Sequence, residues 1–237
     1  MVRHVPDTKH GFGERPHYDP RELDRTFERL AVAFLKEKHG EARFPFETED
    51  LKTFIEGQVH SLDQYADLSV YGPGVEGVTV FRPGIGRPKV AISSALQNNE
   101  NRLRMTLSHE HGHVYLHAYL FELRERQISG LPKNHDPNGI YCKRDTIESA
   151  AKADWLEWQA SYAASALLAP ASFVRQVIGP MQERFGIYGA TPAQSEHGAA
   201  MIGAVAEAFK ISRDAARVRL SVLDILGTPK ATGSLFS

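Results

Sequence analysis

Apolar positions recur along most of this chain at helical spacing, with one shorter region in which they recur as in strands. From Arg21 onward Leu23, Phe27, Leu30, Ala31, Phe34 and Leu35 fall on one stripe, which predicts an amphipathic helix ending near Gly40. A shorter helix is expected over residues 49–59, with Leu51, Phe54 and Ile55 inward. Residues 67–71, 77–81 and 88–93 are then rich in β-branched and aromatic side chains. They are separated by Gly72-Pro73-Gly74 and by Pro83-Gly84-Ile85-Gly86-Arg87, so a small sheet is predicted.

Asn98 and Asn99 are candidate caps for a long helix reaching about Arg126. Residues 127–145 break its pattern with Gly130, Pro132, Pro137 and Gly139, and a loop of that length in a compact domain is often functional. A further helix is expected over residues 146–168, stopped by Pro170. Thr191-Pro192-Ala193-Gln194 has the form of a capping box and should open another helix, with Met201, Ile202, Val205 and Phe209 inward. Ser212 is expected to cap a last helix that ends at Gly227. Residues 1–20 show neither period and predict a flexible, solvated arm, in which the spacing of His4, His10 and His17 does not suit a metal. The expected class is α+β: the arm at 1–20, a catalytic domain at 21–175, a C-terminal helical subdomain at 176–230 and a tail at 231–237.

Composition narrows the options. The chain of 237 residues can bury one sizeable core. Its 28 Lys and Arg against 29 Asp and Glu give no net charge with which to attract a polyanion. A single cysteine, Cys142, excludes an internal disulfide and fits a reducing compartment. With no apolar signal segment at the start and no run long enough to span a bilayer, a cytoplasmic protein is expected.

The candidate chemistry lies in His109-Glu110-His111-Gly112-His113. On a helix the four-residue step turns about 400°, so His109 and His113 project from one face roughly 6 Å apart along the axis and can grip one zinc ion. Glu110 lies beside that face, where a carboxylate can take a proton from a water polarised by the metal. Chance alone would produce H-E-x-x-H in roughly 3 to 4% of such chains, so context must decide. Zinc needs a third protein ligand. Glu157 ranks first: it is a carboxylate between Trp155 and Trp158 on a helix otherwise rich in Ala and Leu. Asp154 either orients a ligand imidazole or places a charge at a helix N-terminus. His117, one turn beyond His113, is a candidate for ligand support or substrate binding, or else an ordinary hydrogen-bonded histidine. His111 points to another face. Tyr141, Tyr162, His135 and His117 are candidate oxyanion donors for peptide hydrolysis. Cys142 could act as a silencing thiolate on the metal or as a small apolar side chain.

These two segments resemble the ImmA/IrrE family of metallo-endopeptidases. Its members carry a histidine-glutamate pair followed by Gly-His and then a helix of the form E-x-x-A-N-x-F-A-x-x-L-L-x-P. Glu157, Ala160, Ala164, Leu167, Leu168 and Pro170 match, while Ser161 and Ala163 stand where the family often has Asn and Phe. The resemblance covers about residues 77–170. It implies a zincin-like catalytic domain and one Zn2+ held by His109, His113 and Glu157, with Glu110 as general base. It also implies a protein substrate, a helix-turn-helix repressor or similar regulator, whose cleavage relieves repression after stress or during mobile-element induction. The alternative is a non-hydrolytic anti-repressor that keeps the fold and sequesters its partner. A third reading makes residues 209–220, with Arg213, Arg217 and Arg219, half of a DNA-binding helix-turn-helix. The interleaved Asp214 and the balanced charge favour packing or substrate docking instead.

Overall fold

The stripe of Leu23, Phe27, Ala31 and Leu35 is buried along helix α1 (Pro20–His39). Asp19 and Glu22 close a capping box at its start, and Gly40, at φ 82°, ends it in the left-handed region as anticipated. The computed structural model of the chain describes residues 3–82, 86–128, 139–143 and 154–227. Helix α2 (Thr48–Glu56) buries Leu51, Phe54 and Ile55. Helix α3 (Glu100–Ile128) carries the histidine motif. Its fully buried Arg104 donates to the carbonyls of Phe46 (2.6 Å) and Phe209 (3.1 Å), tying α3 to two distant parts of the chain.

One sheet has the order β3 (Ser61–Ala66), β5 (Gly86–Ser93), β4 (Val75–Arg82), β6 (Gly139–Lys143). The β3/β5 pair is parallel and both β4 pairs are antiparallel. Two expectations change here. Residues 67–71 do not form a strand. The strand is the preceding Ser61–Ala66, in which Leu62, Gln64 and Ala66 are half-buried and the residues between them exposed. The Asp67 carboxylate accepts the Ser69 amide (3.0 Å), and this turn ends pairing and winds Ser69–Tyr71 into a 3-10 turn. Nor are residues 127–145 a loop throughout: α3 runs to Ile128, and Gly139–Lys143 pairs with β4 as an added edge strand. The expected helix over 146–168 is described from Asp154 onward, and 146–153 lie outside the described residues, as does the tail at 231–237.

The arm is not loose. Arg3–Pro6 (β1) pairs antiparallel with Glu14–His17 (β2). Asp7 holds the connection by accepting the amides of Lys9 (3.2 Å), His10 (2.9 Å) and Phe12 (3.0 Å). Phe12 is buried against Phe121 and Trp155. Strands of four residues are too short to show a period, which is why the pattern alone missed them.

Among the described residues four more helices follow: α4 (Trp155–Leu168), α5 (Ala171–Phe185), α6 (Glu196–Phe209) and α7 (Arg213–Val222). The inward set Met201, Ile202, Val205 and Phe209 is buried, and Ser212 caps α7 as expected. The cap of α6 is Ser195 rather than Thr191. Thr191 exchanges backbone hydrogen bonds with Ile225 and Gly227, and α7 stops at Val222, where the chain turns through Asp224 at φ 58°. The three arginines of the would-be DNA reader are engaged within the chain. Arg213 donates to the Ala199 carbonyl (3.1 Å), Arg217 pairs with Asp214 (3.7 Å), and fully buried Arg219 donates to the Ala169 carbonyl (2.8 Å) and pairs with Asp24 (2.7 Å). Among the described residues no helix is long and apolar enough to cross a membrane.

Candidate metal centre

Helix α4 runs back along α3, with Trp155 at His117, Glu157 between His113 and His109, and Ser161 at His109. Gly112 permits this approach. A β-carbon there would stand 2.9 Å from both Cα and the carbonyl oxygen of Ala160, so no larger residue fits between the two backbones. The Asp154 carboxylate starts α4 by accepting the amides of Leu156 (3.1 Å) and Glu157 (3.5 Å). It is also the anchor of the N-terminal hairpin, 3.0 Å from His10 Nε2 and 3.1 Å from Lys9 Nζ. Of the two roles open to Asp154, the helix-terminal charge is therefore the one observed. The imidazoles of His109 and His113 are oriented by other groups.

His109 Nε2 and His113 Nε2 lie 3.0 Å apart. Glu157 places Oε2 3.2 Å from the first and Oε1 3.5 Å from the second. Ligand atoms of the three residues all fall within 4.8 Å of one another, and all three residues are buried. Tetrahedral zinc with bonds of about 2.0–2.1 Å holds its ligand atoms about 3.3 Å apart, so the observed separations match what such an ion requires. The second nitrogen of each ring is engaged away from the cluster. His109 Nδ1 is 3.2 Å from Ser161 Oγ, and His113 Nδ1 is 3.1 Å from His117 Nδ1. Two imidazoles and a carboxylate turning their electron pairs to one point inside the protein repel one another unless a cation sits there. The three residues therefore fit a metal ion. Without an ion, a proton on the rings supplies that positive charge: burial by itself would raise the pKa of Glu157, but charged His113 and His109 beside it outweigh burial and hold the carboxyl well below its ordinary range.

Glu110 is fully buried on the sheet side of α3, where Thr79 Oγ1 of β4 donates to its Oε2 at 2.6 Å. Gly77 makes the room: a β-carbon there would overlap the Glu110 carboxylate. Strand β4 thus supplies both the space and the donor for the proposed base.

The remaining candidates are placed as follows. His117 is fully buried, with Nε2 3.0 Å from Gln159 Oε1, and burial followed by the neighbouring His113 pushes its pKa well down. Both of its ring nitrogens are thus engaged within the protein, Nδ1 by His113 and Nε2 by Gln159. Tyr162 is not at the site. Its hydroxyl donates to Asp24 (3.0 Å) beside Arg219, and burial, reinforced by Asp24, raises it to about 12. His111 faces away, as expected, with Nε2 3.1 Å from Gln58 Oε1 and its ring against Phe27 and Phe54. Burial lowers its pKa to about 3. Tyr141 and Cys142 lie on β6, their backbones opposite Val78 and Gly77, and their side chains are outside the description, as is His135 altogether. Two contributors were missed in the sequence, Thr79 and Gln159. Gln159 could have been noticed as an amide two residues after Glu157 on an otherwise apolar helix. Thr79 carried no local signal.

No protein-family model matches the chain, and no curated protein is similar to it. Its class rests on its own geometry: an α+β chain with a buried two-histidine, one-glutamate group, drawn from two helices, that could bind a metal ion.

Proposed function

We propose that the chain is a zinc-dependent endopeptidase that hydrolyses a peptide bond of a cytoplasmic protein. The observation that carries this is the convergence of His109, His113 and Glu157 on one point, with a buried glutamate following the first ligand in sequence. Zinc held by these residues supplies Lewis-acid polarisation of a peptide carbonyl and of an attacking water. His109 and His113 bind through Nε2, with Ser161 and His117 setting their ring planes. Glu110, oriented by the Thr79 hydroxyl, takes the proton from the attacking water and delivers it to the leaving amine. On the resemblance to ImmA/IrrE peptidases, the substrate is a helix-turn-helix repressor, and cleavage lifts repression.

The test is Glu110→Gln, assayed with zinc against a candidate repressor. Cleavage should fall about 10²- to 10⁴-fold, the usual contribution of a general base, while bound zinc stays stoichiometric. Unchanged cleavage would refute the assignment. Lost cleavage with repressor inactivation intact would point instead to the non-hydrolytic anti-repressor.

A further inference from the structure

We propose that Gln159 is a positioning residue for the metal, fixing the tautomer of His117 and through it that of His113, and that it is itself held by the Pro16 carbonyl of the N-terminal hairpin. This rests on the assignment of His109, His113 and Glu157 as ligands. Each step follows from what an atom can do. The Pro16 carbonyl only accepts, so the group 2.9 Å from it is the Gln159 amide nitrogen. That turns Gln159 Oε1 to His117 Nε2 at 3.0 Å, and an oxygen only accepts, so Nε2 carries the hydrogen. A neutral imidazole then has its electron pair on Nδ1, which lies 3.1 Å from His113 Nδ1. His113 must donate there, leaving its Nε2 bare. That is the atom facing His109 and Glu157.

The opposite tautomer of His117 would set two N–H groups against each other and an electron pair against Gln159 Oε1. His113 and His117 are wholly buried and Gln159 is 1% exposed, so water cannot repair the mismatch. The relay also gives the hairpin a purpose. Asp7 accepts from Trp155 Nε1 (3.0 Å), His10 and Lys9 pair with Asp154, and Pro16 holds Gln159, so β1 and β2 are fastened along the helix that presents Glu157.

The experiment uses the full chain labelled with 15N-histidine, zinc affinity by chelator competition, and the variants Gln159→Leu and Gln159→Glu. In the wild type, long-range 15N–1H spectra should show His117 protonated on Nε2 and His113 on Nδ1. Gln159→Leu should bind zinc about 10- to 100-fold more weakly, the usual cost of losing the group that orients a ligand. Gln159→Glu keeps an acceptor for His117 but has no donor for Pro16. It should retain zinc affinity while the hairpin amides exchange faster. A His117 protonated on Nδ1, or Gln159→Leu binding zinc as tightly as the wild type, overturns the relay. A wild-type chain that takes up no zinc overturns the ligand assignment beneath it.

Discussion

Gly77 and Gly112 show how much of the site depends on side chains that are missing. The atoms nearest a β-carbon at Gly77 would be those of the Glu110 side chain, not backbone, so the carboxylate would have to shift. Gly77→Ala should therefore leave folding and zinc content intact and reduce hydrolysis about 10-fold or more, because Glu110 loses its place beside Thr79. Equal turnover by the variant and the wild type would show that this placement is unimportant. At Gly112 the obstacle is the backbone of Ala160, which cannot give way without parting α3 from α4. Gly112→Ala is expected to cost about 1–3 kcal/mol in denaturant unfolding and to weaken zinc binding with it. Neither role could be anticipated from a pattern of apolar positions, since a glycine in a strand or helix gives no local sign of what presses against it.

Among the elements, α4 and the hairpin form a unit whose junction is Asp154. Burial alone would raise its carboxyl, but hydrogen bonds from His10 and Lys9 outweigh that and bring it down to about 2, from an ordinary 3.8. A depressed carboxyl stabilises the fold above its unfolded value and loses that contribution as pH falls through the folded value. Asp154→Asn keeps a good N-cap but removes the charge pair. The wild type should thus exceed it by about 1 kcal/mol near neutrality, with the difference shrinking between about pH 4 and 2 and gone below. A difference that persists at the lowest pH would mean that packing, not charge, fastens the hairpin. Elements differ in how openly the sequence announces them. Helix α1 was readable because its stripe and its glycine stop are both local. The hairpin and β6 depend on pairing with distant segments, and five residues such as Gly139–Lys143 become a strand only because β4 offers an edge. The expected strand at 67–71 failed for the converse reason: its β-prone residues were claimed by the turn at Asp67.

For the whole molecule, the α+β class and the histidine pair were legible because spacing on one helix is a property of neighbours. Glu157 stood out as an acid in an apolar helix, whereas Gln159 and Pro16 become partners only once the chain has folded. The same separation in sequence would make a bound metal a matter of stability. His109 and His113 come from α3 and Glu157 from α4, so the three candidate ligands meet only in the native state. An ion that binds the folded chain alone stabilises it by about 4 kcal/mol when present at a thousand times its dissociation constant. In a chain of this size about 2–4 °C accompanies each kcal/mol, so chelation should lower the melting temperature by on the order of 10 °C, and added zinc should restore it. Glu157→Ala removes the carboxylate that neutralises the ion, so its melting temperature should respond far less to either treatment. A wild-type melting temperature indifferent to chelator and zinc alike would mean that the buried charges are balanced without a metal, and the peptidase assignment would lose its chemical basis.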